Sequence, residues 1–332
     1  MKKVVILHSD VAPNASEDEL DCLRQAETIA EALRQLDYEP ILLPFVLDLS
    51  KTIDALTSLR PHFVFNLVET INTKGSLIYF APALLDYLNI PYTGSDTDAI
   101  YLTSNKPLAK ELMQAAGIAT PAWISPKGIR NGQAPSATFL LKATWEHASV
   151  CLDEEAIITL DAATDIINTM KDRQKKIGGS CFAEAYIDGR EFNIALIAGK
   201  SGSITLPAAE MLFRDYAPDK LKIVDYKAKW VEGSFEYENT LRKMEFSKDD
   251  AGLIAELQEI AKKCWTLFAL RGYARVDFRV DKNGKPWVLE INANPCLSLE
   301  AGFAFAMEKA SLKYHEGIAL IIDDALRGFY TI

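Results

Sequence analysis

Residues 273–294 constrain this chain more than any other stretch: Tyr-Ala-Arg-Val-Asp-Phe-Arg-Val-Asp runs into Lys-Asn-Gly and returns as Lys-Pro-Trp-Val-Leu-Glu-Ile-Asn-Ala-Asn. Asn-Gly between two alternating segments is the strongest short-range sign of a β-hairpin, because both residues tolerate the positive φ of a tight reversal. With Asn283 and Gly284 as a two-residue turn, Val276 faces Ile291, Phe278 faces Leu289 and Val280 faces Trp287. One side of the ribbon is then apolar, and its burial pins the register. On the other side the same register sets Asp277 across from Glu290 and Arg275 across from Asn292. Like charges directly opposite on a sheet repel unless something bridges them. A hard divalent cation does so, and magnesium favours carboxylate oxygens together with substrate phosphates. Asp277, Glu290 and Asn292 are therefore the expected metal ligands, the alternative being a solvated face whose charges avoid each other.

Other metal chemistry is poorly supported. The four histidines show no i,i+4 pair, and the five cysteines (Cys22, Cys151, Cys181, Cys264, Cys296) are scattered, without a C-x-x-C spacing, which points to oxygen ligands and to no disulfide framework. A net charge of −10 argues against a broad nucleic-acid surface, which needs clustered Lys and Arg, so small molecules are the expected partners. No apolar run reaches the roughly 18 to 20 residues of a membrane span. Residues 1–7 read as a first strand and not as a signal peptide, so no membrane partner and a cytoplasmic location are expected.

The 332 residues suffice for two or three domains. Apolar runs at 4–7, 41–44 and 63–67 alternate with helical patterns at about 18–36 and 51–59, the mark of βαβ units in a parallel sheet. Pro-Tyr-Thr-Gly-Ser at 91–95 reads as a boundary. A second, small α+β unit follows, with a helix at 104–118, a strand at 138–142 and a helix at about 161–175. The third holds strands near 181–187 and 191–198, an unassigned segment 207–247, a helix near 249–269, the hairpin and two terminal helices.

Arg275-Val-Asp277 followed by Glu290-Ile-Asn292-Ala-Asn294-Pro295 resembles the magnesium-binding signature of ATP-grasp ligases, and specifically of the D-alanine:D-alanine ligase family. Residues 91–95, Asn105-Lys106, and Gly117-Ile118 with Pro121 resemble further segments of that family, so the likeness spans almost the whole chain. It implies an α/β, three-domain ATP-grasp fold. An N-terminal Rossmann-like (pre-ATP-grasp) domain would occupy 1–98, a central subdomain 99–187, and a C-terminal subdomain with the magnesium site 188–332. It implies an ATP-dependent C–N ligase of peptidoglycan synthesis that joins a carboxylate to an amine through an acyl phosphate. ATP and two magnesium ions, with manganese as a substitute, would be its cofactors, and a homodimer is the assembly of many relatives.

Residue roles follow from the same likeness. Lys142 lies in an apolar strand where a lone ammonium is costly, and the family places it and Lys106 on ATP phosphates. Residues 181–192 resemble an interdomain hinge in which Glu184 and the backbone from Ala185 to Ile187 read adenine, while Glu191 takes the ribose hydroxyls. Asp-Tyr-Lys-Ala-Lys-Trp at 225–230 resembles a mobile loop that brings Lys229 to the γ-phosphate. Arg275 and a backbone N–H near Cys296 would stabilise the tetrahedral oxyanion.

Departures gather where the amino acids should bind. The family's G-S-S-V-G loop reads His147-Ala148-Ser149-Val150-Cys151, which keeps Ser149 as a catalytic-loop residue and loses both glycines. The family's closing-loop tyrosine is Trp230, and its P-G-M-T-x-x-S reads Pro295-Cys296-Leu297-Ser298-Leu299-Glu300-Ala301. Asn66-Leu67-Val68-Glu69 stands in for H-G-x-x-G-E-D-G, and the ammonium-reading glutamate has three candidate matches, Asp18, Glu19 and Asp21. A ligase for another acid or amine, and a nucleotide-binding regulatory protein without turnover, therefore remain as alternatives.

Overall fold

The computed structural model describes residues 1–12, 14–126, 128–130, 138–146, 149, 152–159 and 166–330. Its first unit is β1 (Lys2–Ser9), α1 (Glu17–Gln35), β2 (Tyr38–Phe45), α2 (Leu49–Leu59), β3 (Phe63–Leu67) and α3 (Phe80–Tyr87). The three strands form a parallel sheet in the order β2-β1-β3, as the alternation of apolar runs and helical patterns predicts. Val4 to Leu7 are wholly buried because helices cover both faces of β1. Residues 91–95 are more than a boundary. Tyr92 bridges to Val64 beside β3, and the Ser95 hydroxyl accepts the Arg271 N–H at 3.1 Å, tying the first unit to the third.

Two helices, α4 (Thr97–Ser104) and α5 (Lys106–Ala115), lead into the second unit. There β4 (Trp123–Ser125), β5 (Gly128–Arg130), β6 (Thr138–Ala143), β7 (Ile157–Thr159), α6 (Ile166–Ile177) and β8 (Cys181–Ala185) build an antiparallel sheet ordered β5-β4-β8-β6-β7. The third unit holds β9 (Gly189–Gly199), β10 (Gly202–Thr205), β11 (Ala209–Phe213), α7 (Tyr226–Trp230), α8 (Phe235–Asn239), β12 (Thr240–Lys243), α9 (Ala251–Leu267), β13 (Tyr273–Asp281), β14 (Pro286–Asn292), α10 (Gly302–Lys309) and α11 (Tyr314–Tyr330). Its sheet runs β12-β11-β9-β13-β14, with β10 on β9. The segment 207–247, left unassigned by the sequence, contributes two strands and two short helices. The 98/99 division falls inside α4, and 187/188 falls in the link between β8 and β9. Among the described residues no helix is long and apolar enough to cross a membrane.

The hairpin corrects the expected register in two places. Its reversal has three residues, with Asp281 N donating to Lys285 O at 3.0 Å and Gly284 at φ +80, so Arg279 pairs with Trp287 and Phe278 with Val288. A β-bulge after Asp277 then takes up one residue, and Asp277↔Glu290, Val276↔Ile291 and Arg275↔Asn292 pair as expected. Phe278 does not face Leu289, nor Val280 Trp287; Leu289 is the extra residue. The buried face is Val276, Ile291, Phe278 and Val288, which pack against α9.

Candidate active site

The three units surround one cleft of about 850 Å³, and all twelve side chains singled out from the sequence line it. The acidic corner lies on β13 and β14. Asp277 accepts from Arg275 Nε at 2.7 Å and Nη2 at 2.8 Å, from Asn193 Nδ2 at 2.7 Å and from Asn292 Nδ2 at 3.4 Å. Glu290 Oε2 is 3.9 Å from the Lys106 ammonium. The facing carboxylates are thus already compensated, Asp277 by an arginine two residues along its own strand and Glu290 by a lysine. Their opposition does not by itself demand an ion. Among the described residues no three Asp, Glu, His or Cys side chains gather as a cage. The donor set is two carboxylates and the Asn292 amide, all oxygen and few in number, which suits magnesium, an ion that keeps waters and phosphate oxygens in its shell.

The lysines come from α5 and β6. Asn105 caps α5 by accepting the Leu108 N–H at 3.3 Å, and Lys106 opens the helix and donates to the Glu146 carbonyl at 2.5 Å. Lys142 and Lys110 grip the two oxygens of Glu184, each at 2.5 Å, and Lys110 also donates to Thr120, whose hydroxyl donates to Val288 O on β14. Burial raises the Glu184 carboxyl, but the two ammonium groups outweigh it and hold the group below its ordinary value. Its carboxylate is therefore committed to lysines, and adenine would have to share it. Sequence reasoning missed Lys110, although Lys106, Ala109, Lys110 and Met113 form the inward stripe of α5. A lysine on such a stripe requires a buried anion.

The hinge backbone is only partly free. Ala185 N donates to Ala122 O and Tyr186 N to Thr138 O, at 2.8 and 2.9 Å; of the three hinge residues 185–187, only Ile187 makes no such bond. Glu191 lies 3.1 Å from Arg279, a cleft arginine the sequence reading did not single out. Burial raises the Glu191 carboxyl, and Arg279 opposes that.

Residues 222–230 form a strap stitched to every unit. The Lys222 carbonyl accepts from Arg279, the Lys222 N–H donates to the Tyr186 hydroxyl at 3.3 Å, and the Val224 carbonyl accepts from Ser149 Oγ at 2.8 Å. The Tyr226 hydroxyl donates to Asp18 on α1 at 2.9 Å. Asp225 caps α7 by accepting the Ala228 N–H at 2.8 Å, and this short helix carries Lys229 into the cleft, where burial lowers its ammonium and Glu290 opposes that. Ser149, at φ +60, thus gives its hydroxyl to the strap and not to the cleft. His147, Ala148, Val150 and Cys151 lie outside the described residues.

At the far end the three candidate acids have separate partners. Asp18 takes Tyr226, Glu19 accepts the Ser16 N–H at the start of α1, and Asp21 accepts from Cys296 Sγ at 3.0 Å and Ser298 Oγ at 3.2 Å. Glu69 joins them through Gln25 at 3.4 Å. Burial first, and then Asp21, push the Cys296 thiol well up, so it is no nucleophile.

Two antiparallel sheets holding lysines and acids around one cleft, beside a parallel three-stranded unit, make this an ATP-grasp fold. The structure superimposes on a D-alanine–D-alanine ligase from Bacillus anthracis complexed with ATP at TM-score 0.73, with 17% identity and 100% and 99% of the two chains covered. It matches one from Coxiella burnetii at 0.71, with 18% identity and 99% and 95% covered. The D-alanine–D-alanine ligase of Aquifex aeolicus is 28% identical over 324 residues, 96% of this chain and 99% of that one. The family model described as D-ala D-ala ligase C-terminus matches residues 157–323, just over half of the chain, and the chain belongs to that family. Membership makes it an ATP-dependent ligase, a class that works with ATP and a divalent cation.

Proposed function

We propose that this chain activates a carboxylate as an acyl phosphate and passes the acyl group to an amine, in the manner of a D-alanine–D-alanine ligase. The observation that carries this is the meeting of Asp277, Glu290 and Asn292 with Lys106, Lys142 and Lys229 in one cleft. Lys106, Lys142 and Lys229 would offset charge on the nucleotide phosphates, where positioning and electrostatics supply most of the catalysis. Asp277, Glu290 and Asn292 would hold magnesium, which when bound neutralises phosphate charge as it shifts. Arg275 would stabilise the tetrahedral oxyanion through Nη1, the guanidinium nitrogen it does not use on Asp277. Ile187 would read adenine by its backbone N–H, and Glu191 the ribose. The strap would exclude water from the acyl phosphate, and Asp21 with Glu69 would take the substrate ammonium.

The test is ADP release with magnesium over a panel of D- and L-amino acids and other carboxylates, with the product mass identified. Release with D-alanine alone and formation of its dipeptide supports the reading; binding of ATP without release on any acid sinks it and favours a regulatory protein. Asp277→Asn and Glu290→Gln should each abolish release while leaving the circular dichroism melt in place. The acids at the far end favour one variation, a ligase of this mechanism acting on an amino acid other than alanine.

A further inference from the structure

Of the cations that line the cleft, Arg242 is the one with no carboxylate acting on it among the described residues. Lys106 lies by Glu290, Lys142 and Glu184 pair, Arg24 holds Glu17 and Asp21, Arg275 holds Asp277, and Arg279 holds Glu191. Lys229 has Glu290, Asp277 and Glu191 around it. Arg242, on the edge strand β12 opposite Met211, makes no hydrogen bond or ion pair among the described residues, and the charged group that acts on it is another cation, Arg275. Two guanidinium groups turned on the same space repel, and this arrangement costs free energy until an anion enters between them.

Its surroundings hold Arg242 in place for such an anion. The guanidinium lies over the Phe305 ring at 4.9 Å, and Gly302 is its neighbour on the other chain segment. Arg275 uses Nε and Nη2 on Asp277 and keeps Nη1. The Arg242 guanidinium presents an unused flat donor edge that matches the geometry of a carboxylate, and Arg275, held on Asp277, adds its charge.

We infer that Arg242 is a specificity-determining residue that selects an amino-acid substrate carrying a second carboxylate on its side chain. The inference rests on the ligase reading above and narrows its substrate. Arg242 is an exposed lining residue of the cleft, so it also attracts such an anion toward an otherwise acidic protein.

The experiment compares near-isosteres that differ in charge, D-aspartate against D-asparagine and D-glutamate against D-glutamine, each paired with D-alanine, by ADP release and product mass. In the unmodified protein kcat/KM for the acidic member should exceed that for its amide by about tenfold to a hundredfold, the range of one charge-assisted contact. Arg242→Gln should collapse that ratio toward one, Arg242→Lys should keep part of it, and both should keep the melt of the unmodified protein. Equal use of acid and amide by the unmodified protein overturns the inference, whatever the variants do. A ratio that Arg242→Gln leaves intact overturns it as well. ADP release with no member of the panel, D-alanine included, would instead count against the ligase reading.

Discussion

Glu69→Gln should make the protein more stable at alkaline pH than the parent, and the effect should vanish in acid. Glu69 follows β3, its N–H donates to Ser9 Oγ at 3.1 Å, and its carboxylate is held near Gln25 with Asp21 and Asp18 nearby. Burial first, and then Asp21, push its carboxyl from 4.5 up to about 7, against the opposing amide of Gln25. A carboxyl raised in this way keeps its proton in the folded chain and loses it earlier in the unfolded one. The stability it contributes is complete below about pH 4.5 and is lost as pH rises through about 7. The two values lie about 2.5 units apart (7 − 4.5), which at ~1.4 kcal/mol per unit sets an upper bound of about 3.5 kcal/mol, lowered by water in the cleft. Glutamine keeps the shape and never ionises. Urea unfolding of parent and variant at about pH 5 and about pH 8 should show the difference growing by up to ~3 kcal/mol in the variant's favour. A difference that is flat in pH, or that moves toward the parent, refutes the packed acidic end. The same change should raise KM for the amino acid whose carboxylate is activated, since an ionised Glu69 is what its ammonium would neutralise.

Lys110→Met leaves the buried Glu184 with one cation in place of two and strips Thr120 of its donor, so a loss of about 3–5 kcal/mol is expected by thermal or urea unfolding. Adding Glu184→Leu should recover part of that loss; a double variant worse than the sum would contradict the pairing. Tyr226→Phe cuts the strap from Asp18, and the ADP released per amide bond formed should rise severalfold as water reaches the acyl phosphate; an unchanged ratio removes the strap from the mechanism.

Much of this was legible because elements with one clear period declare themselves. Phe63–Leu67 was read to the residue as a short apolar run buried on both faces, and α1 and α2 within a few residues from their single apolar stripe. What stayed hidden depends on contacts across sequence. Nothing local to Ser149 says that its hydroxyl serves Val224, 75 residues away, or that Tyr226 reaches Asp18 across 208. Lys110 was readable and was missed: an inward lysine four residues after Lys106 has to find a buried carboxylate, and Glu184 waits on the neighbouring sheet. The segment 207–247 escaped because β11 and β12 are short edge-side strands, half exposed, whose pattern is set by the sheet they join.

In the hairpin two departures from a regular ladder cancel, and Asp277 still faces Glu290. A three-residue reversal shifts every pair by one, which in a regular ladder would turn Glu290 away from Asp277. The bulge at Leu289 absorbs that residue, and in doing so points Leu289 and Glu290, consecutive in sequence, into the same cleft. A regular strand cannot place two neighbours on one face. The bulge therefore does two things at once, keeping the apolar face of β14 in the core it shares with α4, α5 and α9 and setting an apolar side chain beside the acid, where the flat base and the charged phosphates of a nucleotide would need different neighbours. A turn one residue shorter or longer would need a matching change in β14 to keep Asp277 facing Glu290.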